Sequence, residues 1–285
     1  MGRVAASRSR KRPPEAIGER YNGGVNQTQT QEVWNERTLS DPHAMPDKAK
    51  RVRAMFAAIS RSYDLNNRLH SMGRDQTWRR IAVATAGVKT TDTVLDVACG
   101  TGDLSLMCAD AGARRVIGVD FTHEMLRVAD TKRRPAGEAT VGKRHRGEMM
   151  LADGDAMRLP IADRSVDVVS IAFGLRNVAD PRKAIGEFYR VLRPNGRLVI
   201  LEFSLPTNAM MRGLYQMYFR HVMPWTATLV SRDRTGAYRY LPRSVNTFVD
   251  RQTILKELVK AGFVSVAARP LTFGVAVVYS GRKRK

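Results

Sequence analysis

The chain has 285 residues, with 48 Lys and Arg against 27 Asp and Glu, a net charge of +21. Two cysteines, Cys99 and Cys108, exclude a disulfide framework, and no Cys/His spacing fits a zinc site, so no metal is expected. So basic a surface points to a polyanionic partner, either nucleic acid or the anionic face of a membrane.

Five cations, Arg3, Arg8, Arg10, Lys11 and Arg12, precede the first acid, Glu15. Their Arg/Ser setting resembles a transit peptide, although Pro13-Pro14 interrupts any helix there. The chain then stays polar as far as Pro46, so residues 1–46 are expected to form a basic, disordered extension. Order is expected from Asp47, which stands before a helix with Val52, Met55, Phe56 and Ile59 on one face. The run SRSYDLNNRLHSMGRDQTWRR (60–80) is rich in polar residues suited to lining a pocket. A further helix from about Gln76 closes at Gly87.

The stretch VLDVACGTGDLSL (94–106) organises the rest of the chain. A β-branched run, Thr93 to Val97, leads through Ala98-Cys99-Gly100-Thr101-Gly102 into an apolar helix. The dinucleotide fingerprint G-x-G-x-x-G fails here, because Ser105 occupies its third glycine position. The form D-x-x-x-G-x-G, beginning at Asp96, is instead that of Rossmann-like enzymes using S-adenosylmethionine (SAM), whose amino-acid tail is cationic. A second strand, Arg115 to Val119, ends at Asp120, which is placed to accept both hydroxyls of an adenosine ribose. Thr122 is expected to cap the next helix, with Pro135 as its stop.

Ala136 to Glu148 reads as a basic surface insertion, and Met149 to Ala152 as a weak third strand. In the loop after it, Asp155 is positioned to accept the adenine amine and the Ala156 amide to donate to a ring nitrogen. Val166 to Phe173 is nearly all apolar, hence a central strand. It opens into Gly174-Leu175-Arg176-Asn177-Val178, where an acceptor would meet the methyl donor. Asp180-Pro181 starts a helix that Pro194-Asn195-Gly196 is expected to end, and Arg197 to Phe203 is a fifth strand. Five strands alternating with helices predict an α/β, doubly wound parallel sheet. The stretch from Pro206 to Val230 is crowded with Met and aromatic residues, but Arg212, Arg220 and Pro224 prevent a membrane span. It suits an adaptable apolar wall or an interfacial helix. Asp250 caps a last helix, and Phe263 to Ala268 and Phe273 to Ser280 are two final strands.

The segments MFAAISRSYDLNN (55–67), VLDVACGTGDL (94–104), GVDFTHEML (118–126), GDAMRLPIADRSVDVVSIAFGLRNV (154–178), FYRVLRPNGRLVILEFSLP (188–206) and YLPRSV (240–245) together resemble the ubiquinone/menaquinone biosynthesis C-methyltransferase family. The resemblance implies a Rossmann-like class I SAM-dependent methyltransferase domain over 47–285. Its mostly parallel seven-stranded sheet would carry an antiparallel C-terminal strand, with a substrate-side insertion at 206–245. It implies Gly100, Thr101, Gly102, Asp120, Asp155 and Ala156 as SAM contacts. It further implies ring C-methylation of a prenylated quinol, demethylmenaquinol or the benzoquinol precursor of ubiquinone. Arg176 and Asn177 are the candidates for polarising the quinol oxygen. The family often has serine where this chain has Ala172, so a hydroxyl contact there is missing.

Such a substrate places the enzyme at an anionic membrane surface, cytoplasmic or on the mitochondrial matrix side of the inner membrane. A homodimer or other enzymes of quinone synthesis are the protein partners to expect. The competing readings are weaker. Neither cysteine follows a proline and no N-P-P-Y motif occurs, so nucleic-acid methylation lacks its usual residues, and no specific nucleic acid is expected. An NAD-linked oxidoreductase conflicts with Ser105, and a non-catalytic scaffold with the intact nucleoside motifs.

Overall fold

The computed structural model describes residues 33–133, 147–218 and 235–285. Most of the N-terminal extension, most of the basic insertion at 136–148 and the segment with Arg220, Pro224 and Trp225 lie outside the described residues. The element order is α1 (Glu36–Leu39), α2 (Lys48–Ile59), α3 (Tyr63–His70), α4 (Arg74–Ala86), β1 (Thr93–Val97), α5 (Asp103–Asp110), β2 (Arg115–Asp120), α6 (His123–Lys132), β3 (Glu148–Asp153) and β4 (Val166–Ala172). A 3₁₀ turn (Leu175–Asn177) comes next, then α7 (Pro181–Val191), β5 (Leu192–Phe203), α8 (Ala209–Met217), α9 (Ala237–Thr247), α10 (Arg251–Lys260), β6 (Phe263–Leu271) and β7 (Ala276–Lys283).

Among the described residues these strands form one seven-stranded sheet in the order β3-β2-β1-β4-β5-β7-β6. β7 inserts antiparallel between β5 and β6, while β1 to β5 pair in parallel. Every residue of β1 is buried, as expected for a strand covered on both faces. One face packs Leu95, Val97, Ile171 and Phe188; the other packs Val94, Val168, Leu104 and Trp78. The chain order reverses between β1 and β4, so their carboxyl ends part to form a crevice.

Several elements differ from the expectation. Ordered structure reaches back at least to Val33, inside the segment expected to be disordered. The cause is Trp34, fully buried and stacked on Tyr240 at 4.5 Å, with its amide donating to the Thr235 carbonyl. A single aromatic can tie down a polar strand when its whole ring is removed from water. Asp47 and Thr122 hold N-cap positions without a side-chain capping bond, whereas Asp180 and Asp250 do accept from backbone amides. Pro194-Asn195-Gly196 is an irregularity inside β5, where the register with β4 skips between Val166 and Val168. The polar run after α2 forms a helix of its own, α3, and α4 begins two residues earlier than Gln76. Phe273 lies in a turn before β7 with φ of 56°.

Candidate functional site

Two cavities lie side by side at the carboxyl ends of the strands. The smaller, of about 720 Å³, is walled by Gly100, Asp120, Asp155, Ala156 and Asn177, with Ala98, Phe121, Met125 and Gly174. The larger, of about 1500 Å³, is walled by residues of α2, α3, α4, α8 and α9, with Arg79, Arg176, Tyr215 and Tyr240 among them. Phe56, Tyr63 and Phe173 belong to both walls and form the boundary between them.

The smaller cavity is made by the ends of β1, β2, β3 and β4. Asp120 is buried; its Oδ2 accepts from the Gly100 amide and its Oδ1 from the Thr122 amide, each at 2.8 Å. Burial pushes this carboxyl above its ordinary pKa, and the two amides partly counter that. The bonds lock the glycine turn to the end of β2, while each oxygen keeps a second lone pair for a ligand. In the next loop, Asp155 Oδ1 accepts from the Met157 amide at 2.8 Å, which holds that turn open towards the cavity. Ala172, where the missing serine hydroxyl would stand, also lies on this wall.

Three residues in and beneath the glycine turn also have structural partners. Thr101 does not line the cavity: its hydroxyl donates to Asp64 Oδ1 at 2.5 Å, tying the turn to α3. Gly102 is absent from the wall as well. It sits at φ 82°, and a Cβ there would lie 3.1 Å from the Ala129 Cβ of α6, so its small size serves packing between helices. Asp96 is buried beneath the turn, accepting from Ser105 Oγ at 2.5 Å and from Ser170 Oγ at 2.9 Å. Burial raises its pKa to about 6, against those two donors. Ser105, which broke the dinucleotide pattern, is thus a partner that satisfies Asp96.

Arg176 and Asn177 face different cavities, Asn177 the smaller and Arg176 the larger. Asn177 Nδ2 donates to the Phe173 carbonyl at 3.1 Å, and its Oδ1 accepts from the Tyr240 hydroxyl at 2.9 Å. Arg176 is buried, with Nη1 donating to Glu202 Oε1 at 2.7 Å and to the Phe173 carbonyl at 2.6 Å. Glu202 is fully buried and also accepts from the Arg176 and Phe203 amides. Burial opposes the guanidinium charge, yet Glu202, with Tyr240 and Tyr63, holds its pKa above the ordinary value. The turn carrying both residues begins where β1 and β4 nearly touch. A Cβ on Gly174 would lie 2.7 Å from the Ala98 Cβ, and Ala98 and Phe173 both adopt positive φ. Such strained backbone costs on the order of 1–3 kcal/mol per residue and collects at functional sites.

Glu202, Arg79 and Tyr240 are site residues that the sequence pattern did not single out, whereas Tyr215 lies in the Met/aromatic stretch expected to form an apolar wall. Glu202 was visible within EFSLP, but its meaning depends on Arg176, 26 residues away. Around the glycine turn, Lys132 bridges Asp64 and Asp103, joining α6 to α3 and α5.

The family model described as the ubiE/COQ5 methyltransferase family matches residues 44–283. The chain belongs to the ubiE/COQ5 methyltransferase family. A demethylmenaquinone methyltransferase of Thermus thermophilus is 44% identical over 228 residues, which cover 80% of this chain and 99% of that protein. The ubiquinone/menaquinone biosynthesis C-methyltransferase UbiE of Citrifermentans bemidjiense is 40% identical over 243 residues, covering 85% of this chain and all of that one. Among solved structures, a chain of the complex between the Haloferax volcanii Trm112 methyltransferase activator and a methyltransferase superposes with TM-score 0.55. It is 19% identical and covers 81% of this chain and 98% of that chain. A SAM-dependent methyltransferase from Thermotoga maritima gives TM-score 0.51 at 17% identity, covering 81% of this chain and 100% of that chain. The architecture is that of the class I SAM-dependent methyltransferases. The smaller cavity fits SAM by its chemistry: a buried carboxylate at the end of β2 suits ribose hydroxyls, and Asp155 beside the apolar Phe121 and Met125 suits adenine.

Proposed function

We propose that the protein transfers a methyl group from SAM, held in the smaller cavity, to a ring carbon of a prenylated quinol held in the larger one. Demethylmenaquinol is the leading acceptor. The observation that carries this reading is the shared boundary of Phe56, Tyr63 and Phe173, which sets the two cavities directly against each other. The quinol itself is argued from the names of the relatives, which at 40% and 44% identity share nearly the whole domain.

SAM supplies an electrophilic methyl on a sulfonium centre. Asp120 and Asp155, with the Ala156 amide and Gly100, are the residues that hold it. The aromatic boundary excludes water, which favours a step in which opposite charges cancel. Asn177, fixed by Tyr240, stands at the junction as a rigid donor on a turn that the Arg176–Glu202 pair holds in place, so little reorganisation is required when charge develops on the acceptor oxygen. The test is anaerobic incubation with SAM and a chemically reduced prenylated naphthoquinol, read by mass spectrometry. One added ring methyl is expected; methylation of RNA or DNA with an untouched quinol would overturn the reading.

The larger cavity has an apolar rim that suits a prenyl tail. Leu65 and Leu69 of α3, Met72 just after it, and Met210, Leu214 and Met217 of α8 are exposed, and Met72 and Leu214 also line the cavity. Tyr215, by contrast, is buried against the interior. Among the described residues no helix is long and apolar enough to cross a membrane. The rim therefore supports peripheral docking, with basic residues attracted to an anionic leaflet. Salt-sensitive flotation with anionic but not neutral vesicles is the expected result, weakened by Met72→Ser with Leu214→Ser. Equal binding to neutral vesicles would remove the electrostatic part of the proposal.

A further inference from the structure

Arg79 is a buried cation of the larger cavity that forms no direct ion pair among the described residues. Its side chain is 7% exposed, and its guanidinium carbon lies 5.2 Å from the centre of the Phe173 ring. No hydrogen bond or ion pair to Arg79 occurs among the described residues, and its Nε is buried without a partner. The nearby acids make their direct bonds to other groups, although the charge of Arg79 reaches Asp96 and Asp103. Asp75 lies one helical turn earlier on α4, the usual spacing for an ion pair, but its Oδ1 accepts from Ser71 and its Oδ2 from Gln76. Asp103 is held by Lys132 and Gln76, Asp96 by Ser105 and Ser170, and Glu202 by Arg176.

A buried cation without a partner is costly, and the cation–π contact with Phe173 recovers only part of that cost. The contrast with Arg176 is chemical. Arg176 is neutralised by Glu202, so an arriving anion meets a pair with little net charge. Arg79 has no carboxylate in direct contact and presents its guanidinium to the same cavity, against the ring that separates it from the smaller one. Tyr63, on that boundary too, lies within the field of both guanidinium groups.

We infer that Arg79 is a catalytic residue that binds the ionised hydroxyl oxygen of the acceptor, supplying in the complex the counterion that the protein withholds. The inference rests on the proposed acceptor and deepens it. The O–H bond of the acceptor breaks with its proton passing to water, and the oxyanion left behind accepts hydrogen bonds from the guanidinium. Its electron pair, shared with the adjacent ring carbon, forms the new carbon–methyl bond as the methyl–sulfur bond breaks, and the ring proton then leaves to water. Arg176 is then a positioning residue: it fixes the Phe173–Asn177 turn through Glu202.

The test compares two ligands of the same shape in calorimetry at neutral pH with SAM present: 2-hydroxy-1,4-naphthoquinone, whose acidic hydroxyl is ionised, and neutral 1,4-naphthoquinone. The protein is expected to prefer the anion by about tenfold or more, the size of one charge-assisted hydrogen bond. Arg79→Met should erase that preference without changing SAM affinity, and Arg79→Lys should keep most of it. Because Arg79→Met removes an unpaired buried charge, its urea midpoint should be equal to or higher than that of the parent protein. A preference that survives Arg79→Met, or a variant that loses both ligands equally while its midpoint falls, overturns the role of Arg79. If neither naphthoquinone binds the parent protein while SAM does, the acceptor assignment falls first, and this inference falls with it.

Discussion

The smaller cavity is built by strand ends and the turns after them; the larger is built by helices far apart in the sequence. In the first, each functional group sits at the carboxyl end of a strand: Gly100 after β1, Asp120 ending β2, Asp155 after β3 and Asn177 after β4. A parallel sheet brings those ends together whatever the loops contain. In the second, Arg79 of α4, Arg176 after β4, Glu202 of β5 and Tyr240 of α9 meet only because the whole domain has folded. The first cavity is thus a property of the topology, and the second a property of this chain's own packing. Carboxylates differ accordingly. Asp120 is satisfied by backbone amides, which any sequence supplies, whereas Glu202 adds to two such amides the particular side chain of Arg176.

The sharpest way to break this comparison is Glu202→Gln. It leaves Arg176 buried without its counterion, which should destabilise the fold by about 3–5 kcal/mol in urea denaturation. A loss below about 1 kcal/mol would mean that the pair is not buried as described.

Asp96 offers a pH-dependent test on the topological side. Its pKa in the fold is about 6 against an ordinary 3.8. As pH falls, the folded state therefore takes up the proton before the unfolded state does. Its contribution is fully present below about pH 4 and is lost as pH rises through about 6. At about 1.36 kcal/mol per tenfold change in proton affinity this amounts to about 3 kcal/mol. Denaturation curves of the parent protein and Asp96→Asn should diverge by that amount between pH 7 and 4, in favour of the parent at the acid end. Parallel curves would show that Asp96 titrates normally.

Asp120→Asn keeps an acceptor oxygen but loses the charge, so SAM affinity should fall by about 1.5–3 kcal/mol, or roughly 10- to 150-fold. Undiminished affinity in a folded variant would remove the ribose assignment. The smallest expected effect is that of Tyr240→Phe. It removes one neutral hydrogen bond to Asn177, worth about 0.5–1.5 kcal/mol. The rate of methyl transfer should drop severalfold with SAM affinity unchanged. A matching fall in SAM affinity would show that α9 supports the smaller cavity too.

Much of the first region was legible from residue pattern. β1 spans the same residues that the β-branched run marked out, and Asp120 and Asp155 lie on the cavity wall where the spacing placed them. Thr101 and Gly102 do further work in the fold that their local sequence did not display. A glycine turn that binds a ligand and one that packs a helix against its neighbour look alike until α3 and α6 are in place. The burial of Trp34 was hidden because its polar neighbours promised no core, and Thr235 and Tyr240 lie about two hundred residues on.

The sequence by itself determined the α/β class, the alternation of strands and helices in the nucleotide half, and a basic chain with an apolar segment after β5. These arise from short-range periodicity and from turn residues, whose physics acts over a few bonds. The tertiary structure alone decided which charges are paired. Whether an arginine is ion-paired like Arg176 or without a direct ion pair like Arg79 depends on where the nearest carboxylates point. Electrostatics in a buried site depends on distance and desolvation in space, and neither has a signature along the chain.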